Sequence, residues 1–170
     1  MKKALLGISF ALLTGIVILA IMGSKMQEIK TEIHIDAKAE KVWEVLMDFD
    51  KWQDWSPIIK QSKGSAQVGS QLQMTMVGKS EGESGPSYKP KIEEMSKPHF
   101  FRWRAHMMAS FIMTNDKVFE LTETENGTKL VHKELFKGLM APIFCGQMEK
   151  GVPPMLNKFN QALKALVEKK

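Results

Sequence analysis

Residues Val42 to Pro57, reading VWEVLMDFDKWQDWSP, hold three of the chain's four tryptophans: Trp43, Trp52 and Trp55. Large aromatics spaced this closely have to share one apolar volume, which limits the folds open to the chain. In the segment ahead of them, Ile29 to Asp36 (IKTEIHID), Ile29, Thr31, Ile33 and Ile35 fall on one face and Lys30, Glu32 and His34 on the other. That period of two marks a half-buried strand. A strand therefore feeds a short helix carrying Trp43, Val45, Leu46 and Phe49, followed by a second short helix or turn bearing Trp52 and Trp55.

Beyond Pro57 the chain reads as a run of hairpins. Leu72, Met74 and Met76 alternate with Gln71, Gln73 and Thr75, and Ser80 to Ser87 (SEGESGPS) has hairpin-loop chemistry. Tyr88, Pro90 and Ile92 then face one way. After a turn at Ser96 to Pro98, Phe101, Trp103, Ala105 and Met107 oppose Phe100, Arg102, Arg104 and His106. Phe111 and Met113 continue the apolar rhythm, and Phe119 and Leu121 follow. Asn126-Gly127 predicts a type I′ turn, whose two central residues need positive φ. The next strand carries Leu130, His132, Glu134 and Phe136 on one face and Val131, Lys133, Leu135 and Lys137 on the other. A helix from about Ile143 to Val167 closes the chain, its stripe running through Met148, Val152, Met155, Leu156, Phe159, Leu163 and Leu166. Gly151, Pro153 and Pro154 predict a kink or restart near Gly151, because proline removes a backbone donor.

The stretches TEIHIDAKAEKVWEVLMDFDKWQDWSP and NGTKLVHKELFKG, the second followed by a long helix, resemble the START-like (SRPBCC) superfamily. This is the helix-grip or Bet v 1-like fold, and within it the stretches resemble the bacterial polyketide cyclase/dehydrase-type branch. The resemblance covers roughly Glu28 to Lys170. It implies an α+β domain with two short helices after the first strand. A curved antiparallel sheet of six to seven strands wraps on the long C-terminal helix, leaving a cavity between them. What it implies about function is weaker, since this fold hosts lipid carriers, hormone receptors and cyclases.

Residues 1–27 stand apart from the domain at 28–170. Lys2 and Lys3 precede Ala4 to Met22, an uncharged run with only Ser9 and Thr14 as polar side chains. At helical rise such a run approaches the ~30 Å thickness of a bilayer core. The exit LAIMGSKMQ lacks the small residues of a cleavage site. The segment is therefore read as an N-terminal signal anchor or transmembrane helix. That reading puts a single-pass protein in a bacterial inner membrane, its domain on the periplasmic side, with secretion after cleavage as the alternative.

The composition is globular, with 44% apolar and 25% charged residues. A net charge of +5, with no basic run interleaved with aromatics, gives no nucleic-acid footprint. The single Cys145 excludes an internal disulfide and reads as a small buried or half-buried thiol. His34, His99, His106 and His132 have no metal-ligand spacing, so no metal and no cofactor is expected. No hydrolase elbow, P-loop or dinucleotide turn is present.

Two polar residues share an inward-reading face. His132 and Glu134 lie between Leu130 and Phe136, where they would orient a ligand hydroxyl or carbonyl, or instead be satisfied by Arg102, Arg104 or a lysine. The thirteen methionines suit an irregular apolar pocket as well as ordinary core filling. The candidate pocket is Trp43, Trp52, Trp55, Met74, Met76, Trp103, Phe119, His132, Glu134, Met148, Val152, Met155 and Phe159, with Trp52 and Trp55 at its rim. The leading expectation is a domain that binds a hydrophobic or amphipathic small molecule, lipid-like or aromatic, without turning it over. A cyclase/hydrolase-type enzyme using His132 and Glu134, and a protein-interaction module, are the alternatives.

Overall fold

The computed structural model describes residues 2–80, 82–107 and 109–169, with side chains from Leu12 onward. Helix α1 (Lys2–Ser24) leads into strand β1 (Gln27–Ile35). Helix α2 (Ala39–Met47), a 3₁₀ turn at Phe49–Lys51 and helix α3 (Trp52–Trp55) follow. Next come β2 (Ile59–Lys63), β3 (Gln73–Val77), β4 (Ser84–Tyr88), β5 (Lys91–Ser96), β6 (Phe100–His106), β7 (Thr114–Thr124) and β8 (Gly127–Lys137). Helix α4 (Ala141–Val167) ends the fold.

The strands form two antiparallel sheets, ordered β1-β8-β7-β6-β5 and β2-β3-β4. This departs from the expected single sheet of six to seven strands, and the reason lies at Pro90. The segment read as one strand around Tyr88, Pro90 and Ile92 divides there, because proline cannot donate to a ladder. Ser84–Tyr88 joins the smaller sheet and Lys91–Ser96 the larger. Only short links cross the gap, such as Leu72 N to Pro90 O at 2.8 Å and Ile92 N to Ser70 O at 2.9 Å. The loop expected over Ser80 to Ser87 is correspondingly shorter, since Ser84 to Ser87 are paired in β4. Pro86 is tolerated because β4 is an edge strand.

The β7–β8 turn is also one residue earlier than expected. Thr124 pairs with Gly127, so Glu125 and Asn126 are the turn residues and Gly127, at φ 144°, opens β8. The glycine is still required: a Cβ there would lie 2.2 Å from the Ile35 carbonyl oxygen.

The core collects on the concave side of the larger sheet. Ile35, Phe101, Trp103, Phe119, Leu121 and Leu130 face Val42, Trp43 and Leu46 from α2 and Phe159, Leu163 and Val167 from α4. Trp52 is buried at the centre of this aromatic group, its ring 5.2 Å from Phe49, 5.5 Å from Trp103 and 4.9 Å from Phe159. Its Nε1 donates to the Leu46 carbonyl at 3.0 Å, so a buried indole is satisfied where a rim position was expected.

Helix α4 runs unbroken through Pro153 and Pro154, so the expected restart does not occur. The two prolines instead mark a change of environment. Leu156, Phe159, Asn160, Leu163 and Val167 beyond them are buried, whereas Ile143 to Val152 before them are exposed or half-buried. Phe111 and Met107, expected to point inward, are exposed on the β6–β7 loop, because β6 ends at His106 and releases the chain from the sheet.

A helix does form over the N-terminal apolar run. The side chains of Ala4 to Ala11, part of the expected span, lie outside the described residues, and among those described no helix is long and apolar enough to cross a membrane.

Candidate ligand cavity

A cavity of about 750 Å³ lies between the two sheets and the N-terminal half of α4. Its walls are mainly apolar: Ile58 and Ile59 before and on β2, Met76 on β3, Met113 and Phe136 on the large sheet side, and Phe144, Met148, Val152, Met155 and Phe159 on α4. The origin of the space follows from the fold. The C-terminal half of α4 packs on β1 and the core, while its N-terminal half spans the gap left where the smaller sheet separates from the larger.

Of the residues singled out from sequence, Trp52, Met76, Glu134, Met148, Val152, Met155 and Phe159 line this cavity. Trp43, Met74, Trp103, Phe119 and His132 do not line it and are buried in the core behind it. Trp55 is half-buried, packs its ring 4.9 Å from that of Phe159 and is not part of the lining.

The polar end of the cavity is built on neighbouring strands. Asn115, Lys117 and Glu134 all line it. Lys117 and Glu134 are directly paired across β7 and β8, and the Lys117 Nζ is 2.6 Å from Glu134 Oε1. Asn115 Nδ2 donates to the other carboxylate oxygen at 3.0 Å. Lys117 Nζ also lies 3.3 Å from His132 Nε2, and His132 Nδ1 lies 2.8 Å from Asn160 Oδ1. A lysine ammonium only donates, so Nε2 accepts and Nδ1 carries the proton that goes to Asn160. Asn160 Nδ2 then donates to Thr31 Oγ1 at 2.9 Å. Burial first, and the Lys117 charge second, hold the His132 proton affinity well below its ordinary value, so the ring is neutral.

Lys117 was missed in the sequence, although a signal was present. Phe119 and Leu121 face inward, and counting back by two from them puts Lys117 and Asn115 on the same side. Asp116, one residue over, points to the opposite face, where Arg104 Nε and Arg102 Nη1 reach it at 2.6 and 3.0 Å. The arginines are thus engaged on the convex side and leave His132 and Glu134 to the lysine.

Tyr88 is a further residue the sequence reading left out of the pocket. Among the described residues its hydroxyl has only the Met76 sulfur as a partner, at 3.7 Å, a weak acceptor. Burial raises the phenol's proton affinity, with the Glu134 charge adding to the effect, so Tyr88 keeps its proton at every physiological pH. Cys145 is half-buried and donates to Glu149 Oε1 at 3.2 Å, an acidic neighbour that raises the thiol's proton affinity and so disfavours the thiolate. Among the described residues no three His, Cys, Asp or Glu side chains are placed to hold a metal ion.

The family described as polyketide cyclase / dehydrase and lipid transport matches residues 26–168. The chain belongs to that family. Solved structures agree on the helix-grip fold of the START-like superfamily. Protein CV1439 from Chromobacterium violaceum is 17% identical, with a TM-score of 0.67 over 84% of this chain and 98% of that one. The Zhui aromatase/cyclase from Streptomyces sp. R1128 is 16% identical, with a TM-score of 0.67 over 85% of this chain and 94% of that one. Ara h 8.0201 is 13% identical, with a TM-score of 0.66 over 84% of this chain and 98% of that one. No curated protein matches. At these identities the structures share with this member of the polyketide cyclase / dehydrase and lipid transport family its architecture alone.

Proposed function

We propose that this protein binds a hydrophobic or amphipathic small molecule, lipid-like or aromatic, in the cavity and does not transform it. The carrying observation is a mainly apolar volume of about 750 Å³ whose polar lining includes the linked trio Asn115, Lys117 and Glu134, with Tyr88 also on its wall. Apolar walls remove ligand surface from water at ~25 cal/mol per Å², and a few polar atoms fix which end enters first. The Lys117–Glu134 pair is neutral as a unit. Tyr88 O–H and the third N–H of Lys117 remain as donors, so the favoured head group is an uncharged oxygen acceptor such as a carbonyl or hydroxyl.

The enzyme reading draws on the cyclase-type relatives and on Glu134 at the cavity wall. It is the weaker one, because both nitrogens of His132 are engaged, one by Lys117 and one by Asn160, and neither is left to move a substrate proton.

For residues 1–27 we propose an anchor that holds the domain, residues 28–170, on the periplasmic side of a bacterial inner membrane. Fractionation and N-terminal sequencing of the mature protein test this, and a cleaved product in the soluble periplasm would point to secretion instead.

Delipidated full-length protein, scanned thermally against fatty acids, isoprenoid alcohols, quinones and aromatic polyketides, tests the binding reading. A saturable rise in melting temperature with one class, unaccompanied by product, supports it. Turnover of a bound compound that Glu134→Gln abolishes would establish the enzyme reading in its place.

A further inference from the structure

Among the described residues, Met107 and Phe144 are the large apolar side chains that both line the cavity and are exposed, alongside exposed polar lining residues such as Ser87, His106 and Gln147. Beside them Phe111 is 72% exposed and Ile143 52% exposed. Three backbone hydrogen bonds tie this rim together. Leu139 N donates to Phe111 O at 3.2 Å, Met140 N to Ile112 O at 3.0 Å and Met107 N to Met113 O at 2.9 Å.

The end of α1 is fastened to the same place. Gly138 N donates to Gly23 O at 2.9 Å, and a Cβ on Gly23 would stand 2.2 Å from the Gly138 oxygen, so the contact requires a residue without a side chain. The exposed large apolar side chains among the described residues gather on α1, on the Met26 that follows it and on this rim. Only Val68 and Val77 lie elsewhere. A soluble surface seldom concentrates apolar side chains in one region without a partner.

We infer that this rim is a membrane-contacting surface, and that the cavity opens against the lipid. A bilayer suits the feature better than a second copy or a protein groove, because α1 exposes apolar side chains in every direction around its axis, from Leu12 to Met22, rather than along one stripe. Lys25 and Lys137 are exposed on either side of the Gly23–Gly138 contact, at the level where anionic head groups would lie. The inference does not depend on what the cavity holds.

A depth probe tests it. The full-length Cys145→Ser protein is reconstituted in phosphatidylcholine vesicles with a minority of phosphatidylglycerol, carrying an environment-sensitive fluorophore on Phe111→Cys, Ile143→Cys or Glu125→Cys. Glu125 serves as the reference because it lies at the opposite end of β7, about 30 Å along the strand. The expected result is blue-shifted emission at 111 and 143 that doxyl-labelled lipid quenches several-fold more than at 125. Equal and lipid-insensitive emission at all three positions overturns the inference. So does a blue shift that appears without lipid together with cross-linking between two copies at 111, which assigns the rim to self-association.

Discussion

Lys117 and Glu134 face each other across β7 and β8, with Nζ 2.6 Å from Oε1 and side chains only 8% and 7% exposed. An ion pair this dry is held by mutual dependence: each charge is tolerable only because the other is there. Lys117→Met leaves Glu134 without its cation and is expected to cost about 3–5 kcal/mol of stability in urea unfolding. The double variant Lys117→Met/Glu134→Leu is expected to recover most of that loss. If the single substitution is as stable as wild type, the pair is wetter than its geometry indicates.

His132 sets a pH dependence whose sign follows from its burial. The folded protein holds the ring neutral well below the ordinary value of 6.5, whereas the unfolded chain protonates near it. The unfolded state therefore binds the extra proton first, and stability falls as pH drops through 6.5 and below. This residue alone is expected to remove on the order of 1 kcal/mol between about pH 7.5 and 5.5. His132→Asn is expected to flatten that part of the profile, and an identical slope in the variant would contradict the assignment.

Gly127 is where the β7–β8 turn meets the end of β1. Its positive φ and a Cβ position 2.2 Å from Ile35 O oppose any side chain. Gly127→Ala is expected to lower stability by about 1–3 kcal/mol. Changing the neighbouring turn residue, Glu125→Ala, is expected to change it by less than about 0.5 kcal/mol. Chemical denaturation of the two variants side by side distinguishes a demand of the backbone from a general sensitivity of the turn.

Much of this architecture was legible because one-sided burial writes itself as alternation. β1 and β8 read correctly by phase: Ile29 and Ile35 are buried, and Leu130, His132, Glu134 and Phe136 are all buried on one face. The rest depended on geometry that no local pattern carries. Pro90 signals a break, but not that the pieces on either side join different sheets. Trp52 reads as apolar on a short helix, yet its depth depends on Phe49, Trp103 and Phe159 closing round it. Lys117 escaped notice because a lysine within a strand is ordinarily solvated, and only the partner strand shows what neutralises it.

Among the described residues Tyr88 offers its hydroxyl to nothing stronger than the Met76 thioether. With a ligand carrying a carbonyl or hydroxyl, Tyr88→Phe is expected to weaken binding by up to about tenfold, the worth of one hydrogen bond, and to leave the binding of its hydrocarbon analogue unchanged. Titration calorimetry with such a matched pair checks it. Equal losses for both ligands would mean that the ring, not the hydroxyl, is the contact.

The most direct test of the central claim is native mass spectrometry of the full-length protein released gently from its host. Gly151 lines the cavity, and a Cβ placed on it would meet nothing within 4 Å, so Gly151→Trp can narrow the opening without a backbone clash. Wild type is expected to carry a co-purified apolar molecule of defined mass, and the equally folded Gly151→Trp protein to carry little or none. A wild-type protein that is empty after mild extraction and remains empty when offered lipid, or a variant loaded to the same extent, would contradict the account.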